Sequence, residues 1–369
     1  MKLKNLFIIL TVLVIIAIVL LNLIIFYPSP QERNTIKIGA ILPLSGPTSI
    51  WGESIKNGME IAKQELALEG INIEIIYEDS KGDAKEGVSA YQNLRLKNVD
   101  IIVTALSRVS IPLISLSDED KIPLIMTLTS AKAVSEQSPY AFRFYADEKG
   151  YADAHLDNFE TGDYNTMGLL YLNDDYGVSV AEHIKNKVKE KHIQIIAEEN
   201  YNPGTTDFRA ELSKIKSENP EMIMFVDGAP IEAINIVKQY KELNIEIQLY
   251  EASTVLSYES TREQTPSEGI YTSVFPFFID NIGLKFKERY KEEYNLEPSF
   301  GAPFGYDIVM LVGKATNGKK VNGKQIADNI LNLKTIDSLN GELEIKPDGE
   351  INPILFSAKI VDGKLVRLE

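Results

Sequence analysis

IKIGAILPLSGPTSIWGESIKNGMEIA, residues 36–62, places an apolar run, a turn and an amphipathic helix in direct succession. The run at residues 36–42 is typical of a strand buried on both faces of a parallel sheet. The Pro- and Gly-containing residues 43–47 predict a turn. The helix that follows, over about residues 54–68, repeats apolar side chains at helical spacing. A strand followed by a helix of this length predicts a βαβ unit.

The alternation of strand and helix continues on either side of a break in the middle of the chain. The apolar runs that predict strands before the break are 36–42, 71–77, 99–103 and 122–126. The apolar runs that predict strands after it are 166–172, 192–198, 221–226 and 245–250. The two halves agree in the order and spacing of their elements, so we predict an α/β fold with two doubly wound parallel-sheet lobes. Two such sheets side by side bring the carboxyl ends of their strands to one cleft, where ligands bind in open α/β sheets.

The segment 36–62 resembles the opening of the type I periplasmic binding proteins, in the leucine/isoleucine/valine-binding branch. The shared features are a strand, a Ser-Gly-Pro turn, an aromatic-Gly pair and an N-G-x-x-x-A helix. The resemblance implies two lobes joined by a three-crossover hinge, with residues 35–146 plus 272–332 in lobe 1 and residues 147–271 plus 333–369 in lobe 2. It implies that the chain clamps an amino-acid-like solute and delivers it to the permease subunits of an ABC transporter.

The same resemblance implies a set of ligand-binding residues, carried over position by position. In lobe 1 these are Ser45, Trp51, Ser107, Thr127, Thr129 and Ser130. In lobe 2 they are Tyr176, Asp227 and Glu251. Asp227 or Gly228 stands where a tyrosine is common in the family, and Ala131 stands where the family has a threonine hydroxyl.

The chemistry of these residues suits a zwitterion, which needs donors for its carboxylate and an acid for its ammonium group. Ser107, Thr129 and Ser130 could supply the donors, and Glu251 could balance the ammonium. Small hydroxyl residues after strands also cap helices, and Trp51 could be a packing residue, so both alternatives stay open. Arg108 is either a solvated surface residue or a bidentate clamp for a carboxylate or similar anion. Together with Ala131 it argues against leucine itself as the ligand.

The N-terminal segment of residues 1–34 predicts a membrane anchor followed by a short tether. Lys2 and Lys4 precede an uncharged run at residues 6–27, and about 20 apolar residues span a bilayer as a helix. The run ends without a small-residue cleavage pattern, which favours an uncleaved anchor over a cleaved signal. The lysines favour a cytoplasmic N-terminus, with the binding domain outside the cell membrane.

Composition limits the other functions. The net charge of −15 predicts no nucleic-acid partner, since phosphate binding needs a basic patch. The chain has no cysteine, which excludes disulfides, thiolate zinc sites and the usual lipoprotein anchor. His155, His183 and His192 are expected to be solvated surface residues without the spacing of a metal site.

We expect no cofactor, no metal and no enzymatic activity. Residues 318–325 come near a phosphate-binding loop, but they end in Gln where Mg²⁺ binding needs Ser or Thr. The alternative function is a ligand-binding sensor domain that acts with a signalling partner in the membrane.

Overall fold

The computed structural model describes residues 34–132, 134–277 and 281–367. The predicted anchor at residues 6–27 lies outside these ranges. Within them, no helix is both long enough and apolar enough to cross a membrane.

Strands and helices alternate over most of the chain. The strands are β1 (Ile36–Leu42), β2 (Ile73–Asp79), β3 (Ile101–Ala105), β4 (Leu124–Thr127), β5 (Ala141–Phe144), β6 (Thr166–Leu172), β7 (Gln194–Tyr201), β8 (Met222–Val226), β9 (Gln248–Glu251), β10 (Tyr271–Val274), β11 (Thr335–Ser338), β12 (Gly341–Glu344), β13 (Glu350–Ile351), β14 (Phe356–Val361) and β15 (Lys364–Arg367). The α-helices are α1 (Ser49–Leu68), α2 (Ala84–Leu96), α3 (Ser107–Asp120), α4 (Glu148–Asp153), α5 (Leu156–Thr161), α6 (Asp175–Glu190), α7 (Arg209–Glu218), α8 (Pro230–Glu242), α9 (Glu259–Arg262), α10 (Asn281–Tyr294), α11 (Gly301–Thr316) and α12 (Gly323–Leu333).

The predicted pair of parallel sheets is confirmed. The first sheet has the strand order β13-β5-β4-β3-β1-β2, and all its pairs are parallel. The second has the order β15-β14-β10-β9-β8-β6-β7, with β14 and β15 antiparallel at one edge. The central strands β1, β3, β4 and β8 are almost wholly buried, which explains their continuous apolar sequence.

Within the described residues the chain passes between the two sheets three times, namely between β5 and β6, between β10 and β13, and between β13 and β14. The predicted lobe bounds would place β10 in the first sheet and β13 in the second, but each strand lies in the other sheet. β10 (Tyr271–Val274) pairs with β9 in the second sheet, and β13 (Glu350–Ile351) pairs with β5 in the first. β13 has only two residues, too short a run for sequence periodicity to assign. The division of the chain into lobes stays a prediction.

Helices α1 and α11 pack with their backbones in close approach. A Cβ atom added at Gly305 would lie 2.1 Å from the carbonyl oxygen of Ile55, and one at Gly58 would lie 1.9 Å from the carbonyl oxygen of Ala302. Glycine is therefore required at both positions. The close packing holds Trp51, in the first turns of α1, next to Phe300 at the start of α11, with ring centroids 5.9 Å apart.

The prediction that all three histidines are solvated is wrong for His155. Its side chain is fully buried against the second sheet, where Nε2 donates to the carbonyl oxygen of Glu251 at 3.0 Å and Nδ1 lies 2.7 Å from Ser357 Oγ. These hydrogen-bond partners lie far from His155 in the sequence, so no local sequence pattern predicts its burial. Burial lowers the pKa of His155 to about 4. His192 is exposed as expected, and the half-buried His183 lies 3.0 Å from Asp153 Oδ1.

Replacing His155 with glutamine should change how stability depends on pH. The folded state favours the neutral ring, so its contribution is complete above the unfolded pKa of 6.5 and is lost as pH falls toward 4. Denaturant unfolding of the unaltered chain and of His155→Gln at several pH values measures the gap between their free energies of unfolding. The gap should narrow by about 2 kcal/mol between about pH 7.5 and pH 5. A gap that stays constant over this range would contradict the buried neutral histidine.

Candidate functional site

A partly open cavity lies between the carboxyl ends of the two sheets, where the sequence predicts a ligand cleft. Its lining comes from loops after β3, β4, β6, β8 and β9, and from the first turns of α1, α3, α4 and α6. The empty volume between the lining atoms, including the opening to solvent, is about 480 Å³. The complete lining is Trp51, Leu106, Ser107, Arg108, Leu128, Ser130, Tyr145, Tyr151, Leu172, Asp174, Tyr176, Asp227, Gly228, Ser253, Thr254, Val255 and Phe300.

Aromatic rings form much of the wall. Tyr151 and Tyr176 meet edge to face with centroids 5.9 Å apart, and Tyr145 lies 5.8 Å from Phe300. The hydroxyl groups of Tyr151 and Ser130 lie 3.0 Å apart, which links α4 to the loop after β4. Such a wall offers apolar contact area with a few fixed polar groups, as expected of a cavity that orients a small ligand.

Two leucines in the lining have strained backbones. Leu106 after β3 has φ of 77°, and Leu128 after β4 has φ of 46°, both in the left-handed region that side chains other than glycine rarely adopt. They occupy equivalent places at the ends of neighbouring parallel strands. Strain of this kind clusters at binding sites.

The hydroxyl residues of the first lobe divide into two groups. Ser107 and Ser130 line the cavity, and Ser107 Oγ accepts from the backbone N–H groups of Ser130 and Ala131 at 3.1 and 3.2 Å. Thr127 and Thr129 are buried beneath the lining, and Thr129 Oγ1 donates to the carbonyl oxygen of Thr127 at 2.9 Å. These two threonines shape the loop that carries Ser130.

Ser45 lies away from the cavity. It is exposed, and its Oγ donates to Asp79 Oδ2 at 2.6 Å in the loop after β1. Trp51 lines the cavity and is 6% exposed. Of these two residues, only Trp51 lines the cavity.

Arg108 joins the two sides of the cavity. Its Nη1 lies 3.1 Å from Asp174 Oδ2, in the loop after β6, and its Nε donates to the carbonyl oxygen of Gly82 at 2.6 Å. The same Asp174 caps helix α6 by accepting from Gly177 N at 2.9 Å. Burial raises the pKa of Asp174 in spite of these partners, because desolvation outweighs the attraction of Arg108. Arg108 is therefore neither freely solvated nor unpaired.

Two carboxyl groups meet at the second sheet. Asp227 after β8 lines the cavity, while Glu251 at the end of β9 lies behind it and is fully buried. Glu251 accepts from Leu256 N at 2.9 Å and from Thr272 Oγ1. Ser253 Oγ donates to Asp227 Oδ1, and a further side-chain hydrogen bond links Asp227 to Glu251.

Burial raises the pKa of both acids. For Asp227 the negative charge of Glu251 adds to the effect of burial, and the pKa lies well above its usual value. For Glu251 burial dominates over the hydrogen bonds that would lower the pKa, which rises to about 7. A positive charge placed beside Asp227 and Glu251 would favour ionisation of both groups.

The sequence did not identify several lining residues. They are Leu106, Leu128, Tyr145, Tyr151, Leu172, Asp174, Ser253, Thr254, Val255 and Phe300. Ser253 and Thr254 follow β9 as Ser107 follows β3, so the position after the strand was a usable signal. Tyr145 directly follows β5, whereas Tyr151 and Phe300 lie in the passages between the sheets, where no strand end marks them.

The described chain passes three times between two α/β layers, and a cavity lies between the carboxyl ends of their strands. This architecture is that of a two-lobed binding protein. Residues 35–364 match the family described as periplasmic binding protein. Since the match spans most of the sequence, the chain belongs to the periplasmic binding protein family. The predicted resemblance to the type I members is confirmed.

Curated relatives and solved structures agree with this assignment. A Leu/Ile/Val-binding protein homologue from Brucella abortus is 26% identical over 348 residues, covering 89% of this chain and 92% of the relative. The branched-chain amino acid transporter substrate-binding protein LivJ of Streptococcus pneumoniae, solved with isoleucine, has a TM-score of 0.80 at 24% identity, covering 90% of this chain and 100% of LivJ. A solute-binding protein of an ABC transporter from R. palustris, solved with benzoate, has a TM-score of 0.82 at 19% identity, covering 90% and 95%. The two structures share the fold while holding chemically different ligands.

Proposed function

We propose that this chain is the extracytoplasmic substrate-binding component of an ABC transporter, which clamps an amino-acid-like solute and delivers it unaltered to a permease. The observation that carries the proposal is the cavity at the carboxyl ends of the two sheets, whose lining combines aromatic rings with the acids Asp174 and Asp227 and the hydroxyl residues Ser107 and Ser130. The Leu/Ile/Val-binding protein homologue and the LivJ structure with isoleucine support the same class of solute.

Each end of an amino-acid-like solute has a complementary group in the cavity. Its ammonium would contact Asp227, with Glu251 behind it. Its carbonyl or carboxyl oxygen would face Ser107 and the neighbouring Ser130. Ser107 is the first residue of helix α3, and the partial positive charge at this helix end favours oxygen acceptors. Trp51 and Tyr176 would cover the side chain from opposite sides.

The mechanism that we propose is hinge closure. In the open state the solute would bind to one lobe, and contacts with the second lobe would then stabilise the closed state. The Arg108–Asp174 ion pair and the hydrogen bond from Lys132 N to Ser179 Oγ both join elements of the two sheets. We propose that the predicted lobes, residues 35–146 plus 272–332 and 147–271 plus 333–369, move as units once β13 is assigned to the first lobe and β10 to the second, in line with their pairing to β5 and β9. The anchor at residues 6–27 would keep the domain at the outer face of the cell membrane.

A thermal-shift screen of the full chain tests the proposed function. The probes are leucine, isoleucine, valine and alanine, each with its carboxamide. At least one should raise the unfolding temperature, because a ligand at about 100 times its dissociation constant adds about 2.7 kcal/mol to the stability of the native state. The same compound should give no shift with Trp51→Ala. The absence of any shift across the whole set would overturn the proposal.

A further inference from the structure

We infer that Arg108 and Asp174 form a latch across the side of the cavity that faces away from the hinge. Their ion pair itself holds the two lobes closed and slows the release of a bound solute. The inference rests on the proposed function, because the latch acts on the hinge closure described there. The position of the pair in the fold and the way each partner is held support it.

The pair lies far from the hinge strands. All three passages between the sheets begin or end at β5 or β13, which form one edge of the first sheet, and β2 forms the opposite edge. Arg108 Nε donates to the carbonyl oxygen of Gly82, in the loop that follows β2. Asp174 follows β6, which pairs with β7, the edge strand of the second sheet farthest from β14 and β15. A contact at this distance from a hinge separates most when the lobes open, so it has the greatest leverage on closure.

Each partner is held in place by its own side of the cleft. The contact of Arg108 Nε with Gly82 leaves Nη1 for Asp174 Oδ2, at 3.1 Å. Asp174 uses its other oxygen, Oδ1, to accept from Gly177 N at 2.9 Å as the cap of helix α6. The two side chains therefore lose little conformational entropy when they meet. That loss is the cost that leaves most exposed ion pairs with almost no net stabilisation.

The pair is also shielded from solvent. The side chain of Arg108 is 25% exposed and that of Asp174 is 10% exposed. Water and salt weaken the attraction less at such a position than on the open surface. Opening of the lobes separates the two charges and returns them to water, so the pair stabilises the closed state in particular. Because both residues line the cavity, their separation also opens the wall beside a bound solute.

A distance measurement between spin labels on the two lobes tests the latch. The chain has no cysteine, so Ser89→Cys on α2 and Ser213→Cys on α7 can be labelled selectively in the full chain. Both serines are exposed, and their helices follow the edge strands β2 and β7. Without added solute, the labelled chain should show a short and a long distance. The ratio of the two measures the closed and open populations.

Asp174→Asn in the labelled chain should lower the ratio of closed to open molecules about fivefold, which corresponds to about 1 kcal/mol. Asparagine retains the oxygen that caps α6, so the change removes the charge and keeps the cap. Arg108→Gln should have an effect of similar size, and the double variant should be no more open than either single variant, because both remove the same interaction. Raising the salt concentration from about 0.1 to about 1 M should open the unaltered chain and leave Asp174→Asn as it was.

Arg289→Gln is the matched control. Arg289 on α10 lies 2.7 Å from Glu65 on α1, with the two side chains 30% and 29% exposed, and this pair does not cross the cleft. Its removal should leave the ratio of closed to open molecules unchanged. Equal distance distributions for Asp174→Asn, Arg108→Gln and the unaltered chain would overturn the inference. The proposed function would then still stand, since the thermal-shift screen tests it separately.

Solute release gives a second readout, with whichever of leucine, isoleucine or valine raises the unfolding temperature. Stopped-flow dilution followed by the fluorescence of Trp51 measures the dissociation rate. Asp174→Asn should release the amino acid about fivefold faster than the unaltered chain, while Arg289→Gln should release it at the unaltered rate. Equal release rates for Asp174→Asn and the unaltered chain would contradict the role of the latch in retaining the solute.

Discussion

Replacing Tyr176 with alanine should weaken ligand binding by about thirtyfold, a loss of about 2 kcal/mol. Tyr176 lies in the first turn of α6, lines the cavity and contacts Tyr151 edge to face at 5.9 Å. Removing the ring opens the wall that closes over the ligand, so apolar contact is lost and water enters. Calorimetric titration with the compound that gives the largest thermal shift measures the effect.

Tyr171→Ala is the matched control for this variant. Tyr171 lies on β6, shortly before Tyr176 in the chain but outside the cavity lining, with Lys185 Nζ 5.2 Å from its ring centroid. Its removal should leave affinity unchanged. The two variants should also unfold at similar temperatures, which separates loss of binding from loss of fold. Equal affinities of Tyr176→Ala and the unaltered chain would remove Tyr176 from the site.

Replacing Gly305 with alanine should destabilise the fold by about 3 kcal/mol, although alanine is the better helix former. The added Cβ would lie 2.1 Å from the carbonyl oxygen of Ile55 on the neighbouring helix, so α1 and α11 would have to separate. Because α1 carries Trp51, the displacement would also loosen the cavity. Denaturant unfolding measures the free energy, and titration measures the second effect.

Gly150→Ala is the control, since it also places alanine within a helix. There the nearest atom to the new Cβ is Leu355 Cδ1 at 3.4 Å, an ordinary contact with a side chain. We expect this variant to be as stable as the unaltered chain or slightly more so. If Gly305→Ala proved equally stable, the close helix packing described above would be wrong.

Strong local patterns made the fold predictable from the sequence. The run at residues 36–42 and its counterpart at residues 166–172 form the β1 and β6 strands at the predicted positions, because continuous apolar runs bounded by turn residues have few other solutions. Helix α1 begins at Ser49, earlier than predicted, since Trp51 and Gly52 are buried against neighbouring elements. The pairing of the short strand β13 with the first sheet could not be predicted, because a two-residue strand leaves no periodic signal.

Only part of the candidate site followed from sequence. Trp51, Ser107 and Tyr176 lie beside the cavity because strand ends and helix starts converge there, which a topology argument foresees. The partner of Arg108 could not be foreseen, since Asp174 is brought to it across the cleft by tertiary packing. The burial of His155 is similar, because its hydrogen-bond partners come from β9 and β14.

Ser45 and Glu251 show the limit of transferring roles by position. Ser45 follows β1 as the resemblance requires, yet its hydroxyl contacts Asp79 and points away from the cavity. Glu251 is the last residue of β9 and lies behind the lining, which begins at Ser253, while Asp227 follows β8 directly and takes the position at the wall. The position of a carboxylate relative to the strand end therefore decides whether it faces the cavity or the interior.

Trp51 provides the most direct test of the central claim that a small solute binds between the lobes. It is the single tryptophan of the sequence, lines the cavity and is 6% exposed. Titration of the full chain with a compound that raises its unfolding temperature should produce a saturable change in tryptophan fluorescence, with the dissociation constant found by calorimetry. Calorimetric binding without any change in Trp51 emission would place the ligand elsewhere and contradict the account.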